Sequence, residues 1–273
     1  MAEAGLAGAG AIWLLGCGNM GGAMLRGWIA QGVRPGQITV IDPAGPNVPD
    51  GVRVLGAIPP EDRQPDTLVL AVKPQLLRDV AAAMRAKPGK PAMLISILAG
   101  VECDVLRQAF GAVATVRVMP NLPAQIGQGV SVLYSADADG AARSGAEALL
   151  AVLGTTEWID DEALFHAVTA LSGSGPGFVF RFIDALAEAG RGLGLRADLA
   201  ARLAAETVAG SANLARSAAE TPAALADRVA SPGGTTREGL NRLDEADGIR
   251  RLLKETLEAA ARRSAELAAA ARG

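Results

Sequence analysis

Hydrophobic positions in the first 160 residues fall into short runs, separated by segments whose apolar residues recur at helical spacing. The runs are bounded by glycine or proline and often contain β-branched residues, as buried parallel strands do. They predict strands at residues 11–15, 38–41, 67–72, 93–97 and 114–118, with two more at 129–134 and 155–159. Helical spacing predicts helices at 20–30 and 74–84. This alternation predicts an α/β fold whose N-terminal part is a doubly wound sheet.

Beyond about residue 160 the pattern changes to long, alanine-rich helical stretches with no convincing strand. The predicted helices span residues 176–190, 197–219, 222–229, 236–246 and 249–271. We therefore predict two domains, a dinucleotide-binding domain at 1–160 and an all-helical domain at 161–273. The last helix carries leucines along its length, and the pattern leaves open whether they pack on the same chain or on a second subunit.

Composition limits the classes of partner. Half of the 273 residues are hydrophobic and a fifth are charged, which is enough apolar material for a folded core. The 26 basic residues are scattered among 29 acidic ones, so no basic stripe favours nucleic acid. The two cysteines, Cys17 and Cys103, are too few for a disulfide framework or a cysteine-ligated zinc site. We predict no metal site and a reducing compartment.

The amino-terminal segment lacks the marks of a targeting or membrane sequence. No Lys or Arg occurs in the first 25 residues, and Gly16 interrupts the first apolar stretch far short of a membrane span. We expect a cytoplasmic protein with no membrane partner.

The strongest local motif is a G-x-G-x-x-G string that follows the first predicted strand and opens the first predicted helix. Gly16 permits the tight turn, Gly18 lets the backbone approach a pyrophosphate, and Gly21 lets the helix lie close to the strand. The motif predicts a Rossmann-type dinucleotide site, the alternative being a plain strand-to-helix turn. The predicted cofactor-binding residues are Gly16, Cys17, Gly18, Asn19, Met20 and Gly21.

An acidic residue, Asp42, ends the second predicted strand, where a Rossmann-type fold places the acceptor for the adenosine ribose. A carboxylate there repels a 2′-phosphate, and no Lys or Arg follows before Arg53. This favours NADH over NADPH. An aspartate before Pro43 is also an ordinary turn former, so that alternative stays open.

Two further loops follow predicted strands and are expected to meet the cofactor at the carboxyl edge of the sheet. Lys73 is placed to hold cofactor charge, although a lone lysine is more often a solvated loop residue. After the fourth strand, small residues would let a nicotinamide ring lie against the backbone. The predicted cofactor-binding residues of these loops are Ala71, Val72, Lys73, Pro74, Leu98 and Ala99.

A second informative string lies between two helical segments of the C-terminal domain. Two glycines lead into a helix there and predict an anion nest, in which backbone N–H groups converge on a carboxylate or phosphate. The alternative is an ordinary N-cap, a position that Ser and Thr often occupy. The predicted catalytic residues are Ser231, Gly233, Gly234, Thr235 and Thr236.

Several strings together resemble the pyrroline-5-carboxylate reductase family, whose members catalyse the last step of proline synthesis. They are Leu171-Ser172-Gly173-Ser174-Gly175-Pro176, Ser231 to Thr236 followed by Gly239-Leu240 and Leu243-Asp244, Ala71 to Pro74, and Met119-Pro120-Asn121. The resemblance runs almost end to end. It implies a Rossmann domain followed by a helical dimerisation domain, and assembly as homodimers or rings of dimers.

The resemblance also implies a substrate and a chemistry. The loop ending at Thr236 would bind the carboxylate of a cyclic imino acid, and Thr236 would face its ring nitrogen. Hydride would pass from NAD(P)H to C5 of pyrroline-5-carboxylate, giving L-proline. Because a protonated imine is already electrophilic, positioning and electrostatics supply most of the acceleration. We leave the lone histidine, His166, out of the candidate site as a packed or capping residue.

Two departures from the family pattern and two rival functions remain. Leu122 stands where relatives often carry threonine, and Asp42 where many carry a small residue, which leaves the cofactor preference open. A β-hydroxyacid dehydrogenase-like enzyme would need a lysine where Arg181 stands, and arginine does not cycle a proton near neutrality. A non-catalytic nucleotide-sensing protein is the other rival, disfavoured by the intact string at Ser231.

Overall fold

A computed structural model describes residues 10–60 and 63–272, with side chains up to residue 269. Its sheet has eight strands in the order β3-β2-β1-β4-β5-β6-β7-β8. Neighbouring strands are parallel except β6 and β7, so β7 and β8 run opposite to the other six. The strands are β1 (Ile12–Leu15), β2 (Ile38–Ile41), β3 (Arg53–Leu55), β4 (Thr67–Leu70), β5 (Met93–Ser96), β6 (Ala114–Met119), β7 (Gly129–Tyr134) and β8 (Gly154–Trp158).

Helices connect most of these strands, and the described chain after β8 is helical. Within the sheet region they are α1 (Asn19–Ala30), α2 (Leu77–Arg85), α3 (Cys103–Phe110) and α4 (Gly140–Leu150). Helix α5 (Phe165–Val168) continues into a π-helical turn at Thr169–Gly173. The later helices are α6 (Gly175–Gly192), α7 (Ala197–Ser217), α8 (Pro222–Val229), α9 (Thr235–Asp244) and α10 (Gly248–Arg272).

The central strands are buried along their whole length because helices cover both faces of the sheet. Every residue of β1, β2, β4 and β5 is buried. Trp28 of α1 is fully buried against one face, and its indole Nε1 donates a hydrogen bond to the carbonyl oxygen of Leu149 at 2.7 Å. That bond satisfies the one polar group of the indole and fixes α1 beside α4.

The described residues form two compact units. One lies within Met1–Gly173 and Ala260–Gly273, and the other within Ser174–Ala259. Helices α6 and α7 pack against each other within the second unit. The domain boundary expected at residue 160 stays a prediction. In the part of the chain that is described, no helix combines the length and apolarity needed to cross a bilayer.

The fold class is confirmed, and most predicted elements lie within one or two residues of their observed bounds. No range was predicted for β3, α3, α4 or the short α5. Strand β3 has three residues and is partly exposed, and α4 contains two glycines that lower helix propensity. The helix predicted at 236–246 ends at Asp244, because Ala246 and Asp247 take positive φ angles of 53° and 57°.

Candidate functional site

The loop between β1 and α1 fits only glycine at two of its three fingerprint positions. Gly16 has a φ of 89°, and a Cβ atom there would lie 2.5 Å from the carbonyl oxygen of Ala71. A Cβ atom on Gly21 would lie 2.2 Å from the carbonyl oxygen of Gly16. Both distances are far below van der Waals contact, so any side chain would force the loop, β4 and α1 apart.

The third glycine leaves room for a ligand. A Cβ atom on Gly18 would have nothing within 4 Å. Gly18 is the N-cap of α1 and carries no capping side chain, so the first-turn N–H groups remain available to an anion. Asn19 beside it is exposed, whereas Cys17 and Met20 are half-buried. These residues fit the pyrophosphate of a dinucleotide.

Asp42 braces the fingerprint loop. Its Oδ2 accepts a hydrogen bond from the backbone N–H of Cys17 at 2.8 Å, and its Oδ1 accepts one from Ala44 at 2.9 Å. Burial, followed by the charge of Asp42, raises the pKa of the Cys17 thiol. Sequence reasoning assigned Asp42 to the ribose and missed this bracing role. The two roles are compatible, since each carboxylate oxygen has a second lone pair.

The remaining predicted cofactor residues lie in loops after β4 and β5. The backbone of Ala71 and Val72 packs against Gly16, and the exposed Lys73 precedes a short 3-10 helix at Pro74–Leu76. Leu98 is only 2% exposed and belongs to the core, so its backbone alone is available to a ligand. Ala99 next to it is exposed.

The string from Ser231 to Thr236 forms a tight turn at the start of α9, within the second unit. Gly234 donates its N–H to the carbonyl oxygen of Ser231 at 2.9 Å, and Gly233 takes a φ of 69°. Proline and then a left-handed glycine at the central positions are typical of a type II turn. A Cβ atom on Gly234 would lie 2.5 Å from Ser231 Oγ, so a larger residue would require the Ser231 hydroxyl to move.

The N-cap interpretation of this string does not describe its geometry. Helix α9 begins at Thr235, and its N-cap is Gly234, with no capping hydrogen bond from a side chain. The exposed side chains of Ser231, Thr235 and Thr236 flank first-turn N–H groups that no side chain caps. An uncapped helix start next to a left-handed glycine suits a carboxylate ligand.

An ion pair spans the two helices that flank this turn. Arg237, the residue after Thr236, donates from Nη2 to Asp227 Oδ1 of α8 at 2.9 Å. Arg181, where the rival dehydrogenase class would need a lysine, is exposed and pairs with Asp184 at 3.1 Å. That surface pair gives the rival class no support.

A largely buried network centred on Arg117 of the sheet was not predicted from the sequence. Arg117 of β6 donates from Nη1 to Glu162 Oε1 at 2.8 Å and stacks on the Phe165 ring at 4.1 Å. The same Glu162 oxygen accepts the N–H of Cys103 at 2.8 Å. Burial, followed by the charge of Glu162, raises the pKa of the Cys103 thiol to about 12. Cys103 is therefore a protonated core residue near neutral pH.

His166 also has a structural partner. Its Nδ1 lies 3.0 Å from the hydroxyl oxygen of Ser264 in α10. That contact ties the end of the last helix to α5 within the first unit. Among the described residues, no three His, Cys, Asp or Glu side chains gather in a metal-binding arrangement.

An open cavity lies at the opposite, amino edge of the sheet. Its lining includes Asp66, Asp137 and Asp139, and none of the predicted site residues. Each of these carboxylates accepts a backbone N–H, from Ala11, Thr115 and Ala142 respectively. They brace turns and cap α4, and they do not mark a second site.

Comparisons with known proteins agree with this geometry. A family model described as pyrroline-5-carboxylate reductase dimerisation matches residues 162–267, and one described as NADP oxidoreductase coenzyme F420-dependent matches residues 11–100. A solved pyrroline-5-carboxylate reductase from Coxiella burnetii superposes with a TM-score of 0.85 at 30% identity, covering 95% of this chain and 98% of that one. One from Plasmodium falciparum, with NADP bound, gives a TM-score of 0.76 at 27% identity, covering 93% and 96%.

Curated relatives extend the match along almost the whole sequence. A pyrroline-5-carboxylate reductase from Pseudomonas aeruginosa is 38% identical over 264 residues, covering 94% of this chain and 96% of the relative. The enzyme of Pisum sativum is 35% identical over 263 residues, covering 94% and 95%. With the fingerprint loop and the uncapped turn before α9 both in place, this chain belongs to the pyrroline-5-carboxylate reductase family.

Proposed function

We propose that this chain reduces 1-pyrroline-5-carboxylate to L-proline with a reduced nicotinamide dinucleotide. The observation that carries the proposal is the turn at Ser231–Gly234, which presents an uncapped helix start to an anion. The substrate is a cyclic imino acid with one carboxylate, the kind of group that such a turn favours. The glycine loop before α1 supports a dinucleotide as the second ligand.

The groups of this site orient the substrate and stabilise its charges, and they transfer few protons. First-turn N–H groups of α9 hold the substrate carboxylate, and the Thr236 hydroxyl lies beside the ring nitrogen as it becomes an amine. Ser231 and Thr235 add hydroxyl donors around the carboxylate. A dinucleotide held by the glycine loop before α1 would supply the hydride for the C5 imine carbon. Because the protonated imine is already electrophilic, the chain needs no strong general acid.

We further propose that the cofactor is NADH. The Asp42 carboxylate lies at the end of β2, where a 2′-phosphate would meet a like charge. The turn after it, residues 43–52, contains no Lys or Arg. A ratio of kcat/KM that favours NADPH over NADH would reject this preference.

Two further parts of the proposal concern assembly and compartment. We propose a homodimer, or a ring of such dimers, in the reducing cytoplasm. The family model for dimerisation supports the dimer, and the two free cysteines agree with a reducing environment.

The direct test follows dinucleotide oxidation at 340 nm with pyrroline-5-carboxylate as substrate, run with NADH and with NADPH. We expect substrate-dependent oxidation and the formation of proline, identified by chromatography. A β-hydroxy acid with the oxidised dinucleotide serves as the comparison for the rival enzyme class. Turnover of the hydroxy acid without turnover of the imine would contradict the proposal.

A further inference from the structure

Two polar side chains meet at the carboxyl end of β6, in a place the proposed mechanism does not use. Asn121 lies two residues beyond β6, and its Nδ2 lies 3.5 Å from the hydroxyl oxygen of Ser172. Ser172 belongs to the π-helical turn at Thr169–Gly173, and Gly173 beside it packs near Met119. π-helical turns are frequent at functional sites, so the contact calls for an explanation beyond packing.

The hydrogen bonds of Asn121 determine which way its amide points. Its Oδ1 accepts the backbone N–H of Val130 at 3.0 Å, which only an oxygen can do. The NH₂ group is therefore the one that faces Ser172, and the Ser172 oxygen is the acceptor. In the part of the chain that is described, the Ser172 hydroxyl proton has no acceptor of its own. Ser172 thus presents a half-buried donor at the carboxyl edge.

The strand order indicates which half of a dinucleotide reaches this edge. The fingerprint loop follows β1, and Asp42, the proposed ribose acceptor, follows β2 on one side of it. The other half of the ligand then extends across β4 and β5 toward β6. A nicotinamide ring carries one polar substituent, a carboxamide. In a mostly apolar site, a few fixed polar groups orient such a ligand.

We propose that the Ser172 hydroxyl donates a hydrogen bond to the carboxamide oxygen of the bound nicotinamide, with Asn121 fixing the direction of that hydroxyl. Ser172 is then a cofactor-binding residue and Asn121 a positioning residue. The proposal rests on the proposed function only in requiring that a nicotinamide dinucleotide binds. It predicts that the pair selects the ring orientation before the imine arrives.

The test compares two reduced dinucleotides by isothermal titration calorimetry, without pyrroline substrate. One is NADH and the other is its thionicotinamide analogue, in which a weakly accepting sulfur replaces the carboxamide oxygen. For Ser172→Ala we expect the Kd for NADH to rise about fivefold, as for the loss of one neutral hydrogen bond. The Kd for the analogue should change less than about twofold on the same grounds.

A second variant, at Asn121, keeps the Ser172 hydroxyl and replaces the hydrogen-bond donor that faces it with an acceptor. In Asn121→Asp, one carboxylate oxygen still accepts the hydrogen bond from the Val130 N–H, while the other accepts a hydrogen bond from the Ser172 hydroxyl and draws it away from the cofactor. The added charge weakens the binding of both dinucleotides. The measure is therefore the Kd for the thionicotinamide analogue divided by the Kd for NADH, and this ratio should fall toward its value in Ser172→Ala. Ser144→Ala serves as the control and should leave the ratio unchanged, because Ser144 is an exposed residue of α4.

The outcomes separate this proposal from the reaction itself. An unchanged Kd ratio in Ser172→Ala, with a wild-type melting temperature, would overturn it even if the enzyme reduces pyrroline-5-carboxylate. If Ser172→Ala fails to fold, an unchanged Kd ratio in Asn121→Asp would overturn the proposal instead. A changed ratio would stand even if the imine proved not to be the substrate, because the assay contains none.

Discussion

Thr236 is the second residue of α9, and its backbone N–H belongs to a first turn that no side chain caps. The proposed mechanism needs its hydroxyl only while the imine nitrogen becomes an amine. Removing the hydroxyl should therefore affect turnover more than binding of either ligand. The carboxylate would still meet the N–H groups of the turn.

For Thr236→Ala we expect kcat to fall roughly 10- to 100-fold, the range for losing a hydrogen bond to a charged group. The Kd for the dinucleotide should stay within about twofold of wild type, since that ligand is assigned to the loop before α1. Thr236→Ser, which keeps the hydroxyl, is the matched control and should retain most of the activity. Wild-type turnover in the alanine variant would remove Thr236 from the mechanism.

At the scale of elements, the junction of β1 with α1 contains one glycine that the packing requires and another that only ligand binding requires. A Cβ atom on Gly21 would lie 2.2 Å from the Gly16 carbonyl oxygen, whereas one on Gly18 would have nothing within 4 Å. The backbone at Gly18, with φ −70° and ψ −156°, is also open to other residues. The fold itself therefore permits a methyl group at Gly18.

We expect Gly18→Ala to keep the melting temperature of wild type and to bind the dinucleotide about tenfold more weakly, because the methyl group takes the space of the pyrophosphate. Gly21→Ala should instead lower the free energy of unfolding by about 2 kcal/mol, as overpacking does. Thermal melting and calorimetric titration of both variants measure the two effects. Equal destabilisation by the two substitutions would contradict this division of roles.

The Arg117–Glu162 pair joins β6 to the segment that leads into α5 and the π-helical turn. The Arg117 side chain is 5% exposed and that of Glu162 is 22% exposed. Removing one partner of such a pair leaves the other charge buried and costs far more than removing one partner of a surface pair. Arg263 and Glu266 form a comparison pair at 2.8 Å on the surface of α10.

Glu162→Ala should lower the free energy of unfolding by about 3 kcal/mol, because Arg117 and the N–H of Cys103 both lose their acceptor. Glu266→Ala should cost less than about 1 kcal/mol. Urea unfolding curves of both variants, recorded at neutral pH, provide the values. A similar loss in the two variants would show that burial does not set the strength of the Arg117 pair.

Sequence reasoning reached the parts of this fold that depend on local pattern. The strands β1, β2, β4 and β5 are short, mostly apolar runs that are buried throughout, and the glycine string before α1 has a fixed spacing. The bracing role of Asp42 and the Asn121–Ser172 contact join residues 25 and 51 positions apart. No period in the sequence marks such pairs. The uncapped start of α9 also needed coordinates, because Ser and Thr at that place normally indicate a cap.

At the scale of the whole molecule, the second unit leaves too much apolar surface exposed for a chain that works alone. Helix α6, all of which the structure describes, has no buried residue among its 18 positions in the single chain. Phe180 and Phe182 are 54% and 49% exposed, and Val179 is 45% exposed. Contiguous apolar patches of this kind mark interfaces, and the matching family model is one for dimerisation.

We expect the protein to sediment as at least a dimer at micromolar concentration, because a second copy removes these side chains from water. Phe182→Glu places a charge in that interface and should raise the dimer Kd by about 100-fold or more. Val113→Glu, at a 72% exposed valine in the first unit, is the matched control and should leave the dimer intact. Analytical ultracentrifugation across a concentration series measures both. A monomeric wild-type protein, or a Phe182→Glu variant as dimeric as wild type, would show that this face of α6 is not the interface.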